Sequence, residues 1–264
     1  MNPDCTSKSA RFIGALFLAF ALTEVSAAEV AQPSVTTAEI GLSVLRFDYT
    51  EYKDNGSTWN RELGGIPGMS FRLTQRYSSW EWEGVASYHH GRVAYTGQTS
   101  LGIPHNSHTD EEVGDIALRL GRWFGGSYPV MPYAGLGYRQ WDRDIGVLFE
   151  SYRWKYAWLG AKIMAHQRRA SIFMLDIGWI KPLDPEMHVN VYNVSLSPES
   201  RDGLRLMLTS YMSLSKNTTL MLEPYYEYWE LGRSPSIVNG RFIIYEPASK
   251  TTNLGFNSRL GRKF

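Results

Sequence analysis

Apolar and polar residues alternate with a period of two in run after run of this chain, the signature of extended strands with two unlike faces. Ile40, Leu42 and Val44 alternate in a first segment, Glu39 to Tyr52. Met69, Phe71 and Leu73 follow, set against Arg72 and Thr74. Trp80, Trp82, Ala86 and Tyr88 are then interleaved with Glu81, Glu83 and Ser87, and Ile116, Leu118 and Leu120 with Asp115 and Arg119. Ala134, Leu136 and Tyr138 precede Arg139, and the strongest alternation is Tyr152, Trp154, Tyr156 and Trp158 around Arg153 and Lys155. Phe173, Leu175, Ile177 and Trp179 flank Asp176; Leu204, Leu206 and Leu208 flank Arg205; Leu222, Tyr226 and Tyr228 flank Glu223 and Glu227. A last run carries Leu254, Phe256, Leu260 and Phe264 around Asn257 and Arg259, for about ten strands in all. In the first segment the apolar set changes parity to Leu45, Phe47 and Tyr49, which predicts a bulge there.

The connections alternate as well. Ser78-Ser79, Gly125 to Pro129, His166 to Arg169 and Ser215 to Thr218 are short. Lys53 to Gly65, Thr96 to Thr109, the segment holding Pro182, Pro185 and Pro198, and the segment holding Pro235 and Pro247 read as long loops. An even strand number with alternating short and long connections predicts an all-β fold: a closed antiparallel transmembrane β-barrel with short periplasmic turns and long extracellular loops. A soluble sandwich has no reason to alternate its turns, and a soluble barrel turns its apolar face inward. With apolar faces outward, Trp80, Trp82, Trp154, Tyr156, Trp158, Trp179, Tyr226, Tyr228 and Phe264 are expected at the membrane interfaces, where aromatic girdles sit. The aromatic share of 14% suits that reading.

The opposite faces put Arg72, Glu81, Glu83, Arg119, Arg139, Arg153, Lys155, Asp176, Arg205, Glu223, Glu227 and Arg259 inside. A barrel of about ten strands is only slightly wider than the packed eight-stranded case, so these side chains are expected to fill it as a paired network.

Residues 1–27 read as a signal peptide, with Lys8 and Arg11 before an apolar core from Phe12 to Leu22 and small residues Val25-Ser26-Ala27 at its end. Residues 28–38 are then a periplasmic lead-in and 39–264 the barrel domain of an outer-membrane protein of Gram-negative type. The only cysteine, Cys5, lies in the leader, which leaves the mature chain without a disulfide or thiolate metal site. A net charge of +1 offers no excess of basic residues for nucleic acid. No cofactor is expected.

The closing strand ends on Phe264, and here the chain resembles the bacterial outer-membrane β-barrel family, whose terminal strand ends in Phe and is read by the barrel-insertion machinery. The resemblance implies that machinery, outer-membrane lipid and lipopolysaccharide as partners, with the surface ligand left open. The ten-strand layout also resembles the omptin proteases, whose mechanism implies two aspartates on one barrel wall facing an Asp-x-His pair on the other. Asp142 and Asp144, with Asp184 and His188, are the candidates for such chemistry. However, the loop from Thr96 to Pro104 has no acid, and Asp184 and His188 stand four apart, so no catalytic residue is carried over. His105 and His108 read as a solvated loop rather than a metal site, and Ser87 with His89 or His90 is a weaker match to lipid-modifying barrels. The expected role is a structural or surface-interaction barrel. The alternatives are an omptin-like protease or lipid-modifying enzyme at the rim, and third a narrow, porin-like channel.

Overall fold

The computed structural model describes residues 34–98, 102–146, 148–167 and 171–264. The expected signal peptide lies outside them, as does the lead-in through residue 33. The chain runs through β1 (Val35–Tyr52), β2 (Thr58–Tyr77), β3 (Trp80–Gln98), β4 (Pro104–Arg122), β5 (Val130–Asp144), β6 (Phe149–Gln167) and β7 (Ser171–Val189). Two short strands follow, β8 (Val194–Leu196) and β9 (Glu199–Ser200), then β10 (Gly203–Ser213) and β11 (Thr218–Gly232). A small hairpin, β12 (Ile237–Asn239) and β13 (Phe242–Ile244), precedes β14 (Ala248–Lys263). The ten long strands pair antiparallel with their neighbours in chain order, β10 returns to β7, and β14 closes on β1. The closing ladder runs unbroken from Thr37↔Lys263 to Tyr52↔Ala248, so neither β1 nor β14 is left as an edge strand. The Phe264 N–H donates to the Thr36 carbonyl at 2.9 Å, which brings the start of β1 and the end of β14 to one rim. The fold is therefore the closed antiparallel ten-stranded barrel.

The barrel has two storeys with opposite patterning. In the lower one, nearer the termini, apolar residues face out and charges face in. On β1, Leu42 is 72% exposed while Glu39 and Ser43 are buried. In the upper one the inner face becomes aromatic: Leu45, Phe47 and Tyr49 are buried while Arg46 points outward. The predicted bulge in this strand is absent, because the register against both neighbours is continuous through the parity change. Height along the barrel, and not a bulge, explains it.

The same inversion corrects the reading of β6. Trp154, Tyr156 and Trp158 are buried inside the barrel instead of lying at a membrane interface, and Arg153 and Lys155 are exposed on the outer wall. Trp80 and Phe264 are exposed, and Trp82, Trp179, Tyr226 and Tyr228 are half-buried on the outward side of their strands.

The strands also reach further than the apolar alternation does. The expected loop at Lys53–Gly65 shrinks to residues 53–57, and His105 and His108 belong to β4. Above the apolar belt both faces of a strand can be polar, so the period-two signal fades although pairing continues. Pro182 and Pro185 stand within β7, where the pairing with β6 slips between Arg153 and Lys155 and Asp184 takes a positive φ of 47°. A proline in a strand is tolerated at such a bulge.

Inner aromatic rings lie flat on neighbouring backbone where glycine leaves room. A Cβ at Gly255 would collide with the Tyr225 ring, and one at Gly137 with the Tyr156 ring. Gly255→Ala is thus expected to destabilise the folded barrel by about 1–3 kcal/mol, the usual cost of overpacking. Urea unfolding in detergent or lipid measures it; an unchanged midpoint would show that Tyr225 moves aside freely.

Candidate functional site

The lower interior is filled by an ion-pair lattice that spans the barrel. Arg119 on β4 donates through Nη1 to Asp176 on β7 at 2.6 Å and pairs with Glu83 on β3 through Nε at 2.8 Å and through Nη2. Lys162 on β6 reaches Glu83 at 2.7 Å and Glu81 at 3.1 Å. Glu223 on β11 accepts from Arg72 on β2 at 2.6 Å, Arg259 on β14 at 2.8 Å, Thr209 at 2.7 Å and Asn257 at 3.1 Å. One level up, Arg139 donates to Glu227 at 2.7 Å, and Arg205 lies 3.6 Å from the other oxygen of the same carboxylate. Ten of the twelve charges assigned to the interior from sequence therefore sit there, Arg153 and Lys155 being the two that do not.

Isolated charges could not be accommodated at this depth, since each would cost several kcal/mol without a partner. The lattice also stacks on aromatics. The Arg119 guanidinium lies 4.4 Å from the Trp158 ring centroid and 4.8 Å from that of Tyr133. Below it, a cavity of about 630 Å³ opens at the rim that carries the termini. At mid-height, between Arg72, Arg119 and Glu223, the cavity is about 20 Å³, room for about one water.

The upper interior is an aromatic layer roofed by carboxylates. Trp141 stacks on Tyr152 at 4.3 Å and meets Tyr49 edge-on at 4.7 Å, and Trp229 packs against Trp154 and Tyr156. Above these, Arg143 on β5 donates to Glu51 at 2.9 Å, Glu62 at 2.9 Å and Glu150 at 2.7 Å. Glu111 accepts from the Trp141 indole, and Glu246 enters from the loop between β13 and β14. Sequence reasoning missed all six of these charged residues. Those on strands sat in stretches read as loops or beyond the clear alternation, and Glu246 stands in no pattern.

The candidate catalytic residues lie elsewhere. Asp142, Ser151, His188 and Ser195 form one row across β5, β6, β7 and β8. This row is on the outer wall: Asp142 alternates with the inward Trp141 and Arg143, and His188 with the inward Met187 and Val189. Asp142 accepts from Ser151 Oγ at 2.5 Å and from Gln140 Nε2 at 2.7 Å, while His188 Nδ1 is 3.4 Å from Ser195 Oγ. Asp144 caps its own turn by accepting the Gly146 N–H at 2.8 Å, and Asp184 occupies the β7 bulge. Two acids facing an Asp–His pair across a mouth are not assembled by these four residues. His89 points inward, where its Nε2 meets Ser43 Oγ at 2.7 Å, while His90 is exposed outside. Among the described residues no cluster of His, Cys, Asp or Glu has the arrangement of a metal site.

No protein-family model matches the chain, and no curated protein matches it. Solved structures do. The outer membrane protease OmpT from Escherichia coli superposes with a TM-score of 0.60 at 7% identity, covering 92% of this chain and all of that one. OprG, an outer membrane protein from Pseudomonas aeruginosa, aligns at 13% identity over 88% of this chain and 97% of its own, with a TM-score of 0.42. At 7% identity the OmpT likeness is one of fold, and it agrees with the ten-stranded closure described above.

Removing one member of the lower lattice tests how far the barrel rests on it. Arg119→Ala strips Glu83 and Asp176 of a shared partner and is expected to destabilise by about 3–5 kcal/mol. Arg153→Ala, on the outer wall, is expected to stay within about 0.5 kcal/mol of the parent. Equal urea midpoints for the two variants would contradict the assignment of the inner and outer faces.

Proposed function

We propose that the chain is an integral outer-membrane barrel of structural or surface-interaction type. The observation that carries this reading is the filled interior: a lattice of paired charges below, an aromatic layer above, and space for about one water between. A solute path would need room where Arg119, Trp158 and Tyr156 stand, and all three are buried against other side chains. Membrane insertion is supported by the outward belt of Leu42, Ile116, Leu118, Leu136 and Leu208, each half or more exposed, which only lipid would cover favourably around a whole barrel.

Two outer features suggest what such a barrel meets. Lys155 stands on the outer wall directly across from the belt residue Tyr138, and Arg153 one outward pair above it across from Gln140, both placed for the phosphates of lipopolysaccharide. At the far tip, Val238, Phe242 and Ile243 of the β12–β13 hairpin are exposed beside Val191 and Tyr192, an apolar patch of the kind that marks an interaction surface. A hydrolase at the outer wall is less favoured. Ser151, whose hydroxyl donates to Asp142, is only 6% exposed and so is closed to a substrate from the medium.

Refolded protein is expected to migrate faster on gels before boiling and to give no stepwise conductance in planar bilayers. A stable conductance altered by Glu83→Gln would replace this reading with a channel. Arg153→Ala combined with Lys155→Ala is expected to weaken binding to lipopolysaccharide vesicles by roughly tenfold or more, from about 1 kcal/mol per surface cation. Unchanged binding would place the lipid contact elsewhere.

A further inference from the structure

The two storeys differ sharply in charge balance. In the lower one, Arg72, Arg119, Arg139, Arg205, Arg259 and Lys162 face Glu39, Glu81, Glu83, Asp115, Asp176, Glu223 and Glu227, which is close to even. In the upper one a single guanidinium, Arg143, serves Glu51, Glu62 and Glu150 directly, with Glu111 and Glu246 in the same buried group. Glu62 Oε2 and Glu111 Oε1 are buried without a hydrogen-bond partner. Burial with so few cations at hand raises the Glu111, Glu150 and Glu246 carboxyls above the usual carboxylate range, which favours their neutral forms.

Glu246 differs from the other four in belonging to a loop. It lies in the segment between β11 and β14, outside every strand, yet is only 3% exposed. Its Oε1 accepts from the Tyr152 hydroxyl at 2.8 Å, with the Tyr49 hydroxyl at 3.3 Å. Its backbone is tied to the start of the same loop, as the Ser234 N–H donates to the Glu246 carbonyl at 2.9 Å and the Glu246 N–H to Ser234 Oγ at 2.8 Å. The loop is thus cinched at its base, with the Glu246 side chain turned into the barrel. Its other polar ties are at the surface: Arg233 to Asp54 at 3.6 Å, and Asn239 to the Tyr192 carbonyl at 2.9 Å.

We propose that this loop is a proton-controlled cap on the barrel mouth: the neutral Glu246 carboxyl seats it between Tyr49 and Tyr152, and ionisation of Glu246 releases it. The groups facing Glu246 set the direction. Tyr49 and Glu51 come from β1, Arg143 from β5, and Glu150 and Tyr152 from β6. Burial first, then the Glu51 and Glu150 carboxylates, push the Glu246 carboxyl well above the usual carboxylate range, against the lesser pull of Tyr152 and Arg143. The seated value is raised above that of the free loop, near 4.5, so seating is fully favoured below 4.5 and is lost as pH climbs through the seated value. Within that window the ratio of seated to released loop falls up to about tenfold per pH unit, the linkage of one proton.

The test places a nitroxide at Val238→Cys, a 74% exposed position on the cap, with Cys5→Ser removing the chain's only native thiol. The full chain is refolded in detergent, and its folded state is checked by gel migration before boiling. The label is expected to be immobilised at about pH 5, with a mobile fraction growing along a one-proton curve towards about pH 10. Glu246→Gln keeps an acceptor that cannot ionise, and is expected to hold the label immobile throughout. Glu246→Ala is expected to leave it mobile throughout. A parent label insensitive to pH, or a Glu246→Gln label that titrates like the parent, overturns the proposal.

Discussion

Every charge carried into this barrel has to meet its opposite there, and that demand organises the rest of the molecule. A closed sheet sends alternate side chains inward, so a charge on one strand dictates what distant strands must bring. Arg119 on β4 requires Glu83 from β3 and Asp176 from β7, and Glu223 on β11 collects Arg72 from β2 and Arg259 from β14. These bonds cross the lumen as well as running along neighbouring strands, so they brace the wall from within. They also fill the interior at mid-height, and that filling follows from how the charges are compensated.

Much of this was legible in the sequence. Period two, read run by run, gives the ten long strands, and the short turns mark the rim that carries the termini. The height at which a strand stops meeting lipid was not legible. Alternation separates two faces but does not say which is outside, and on this barrel the answer changes with height. Tyr152 to Trp158 read as an interfacial girdle, yet they are the inner aromatic layer, and Arg153 and Lys155 are the wet outer face. The parity change from Ile40–Val44 to Leu45–Tyr49 was the one local signal of this inversion. It looks like a bulge in a single strand and acquires its meaning only when neighbouring strands change at the same level.

The site was less legible than the fold. Glu62 and Glu111 sit where strands run on above the belt with polar residues on both faces, and Glu246 lies in an irregular loop. Burial of a charge is a tertiary fact that neither spacing nor composition reports. Asp142 and His188 were singled out for chemistry and do share a row, but on the wrong face for a barrel mouth. The slip of register at Pro182–Pro185 reverses the parity of β7 above it, turning His188 outward and Met187 inward. A one-residue slip exchanges the two faces of a strand, and here it decides between a lumen-facing and a wall-facing histidine.

The unequal charge balance of the two storeys separates closure from response. The lower lattice pairs its cations and carboxylates almost one for one, so the mid-barrel seal does not wait on the position of any loop. The upper cluster has a single guanidinium for its carboxylates, and burial there raises Glu111, Glu150 and Glu246 above the usual carboxylate range. Any response to the medium therefore concentrates at the mouth, next to the hairpin that carries the exposed Val238, Phe242 and Ile243. A change in the protonation of Glu246 can move that apolar tip without opening the barrel beneath it, because the residues that hold the loop and those that close the lumen share no ion pair.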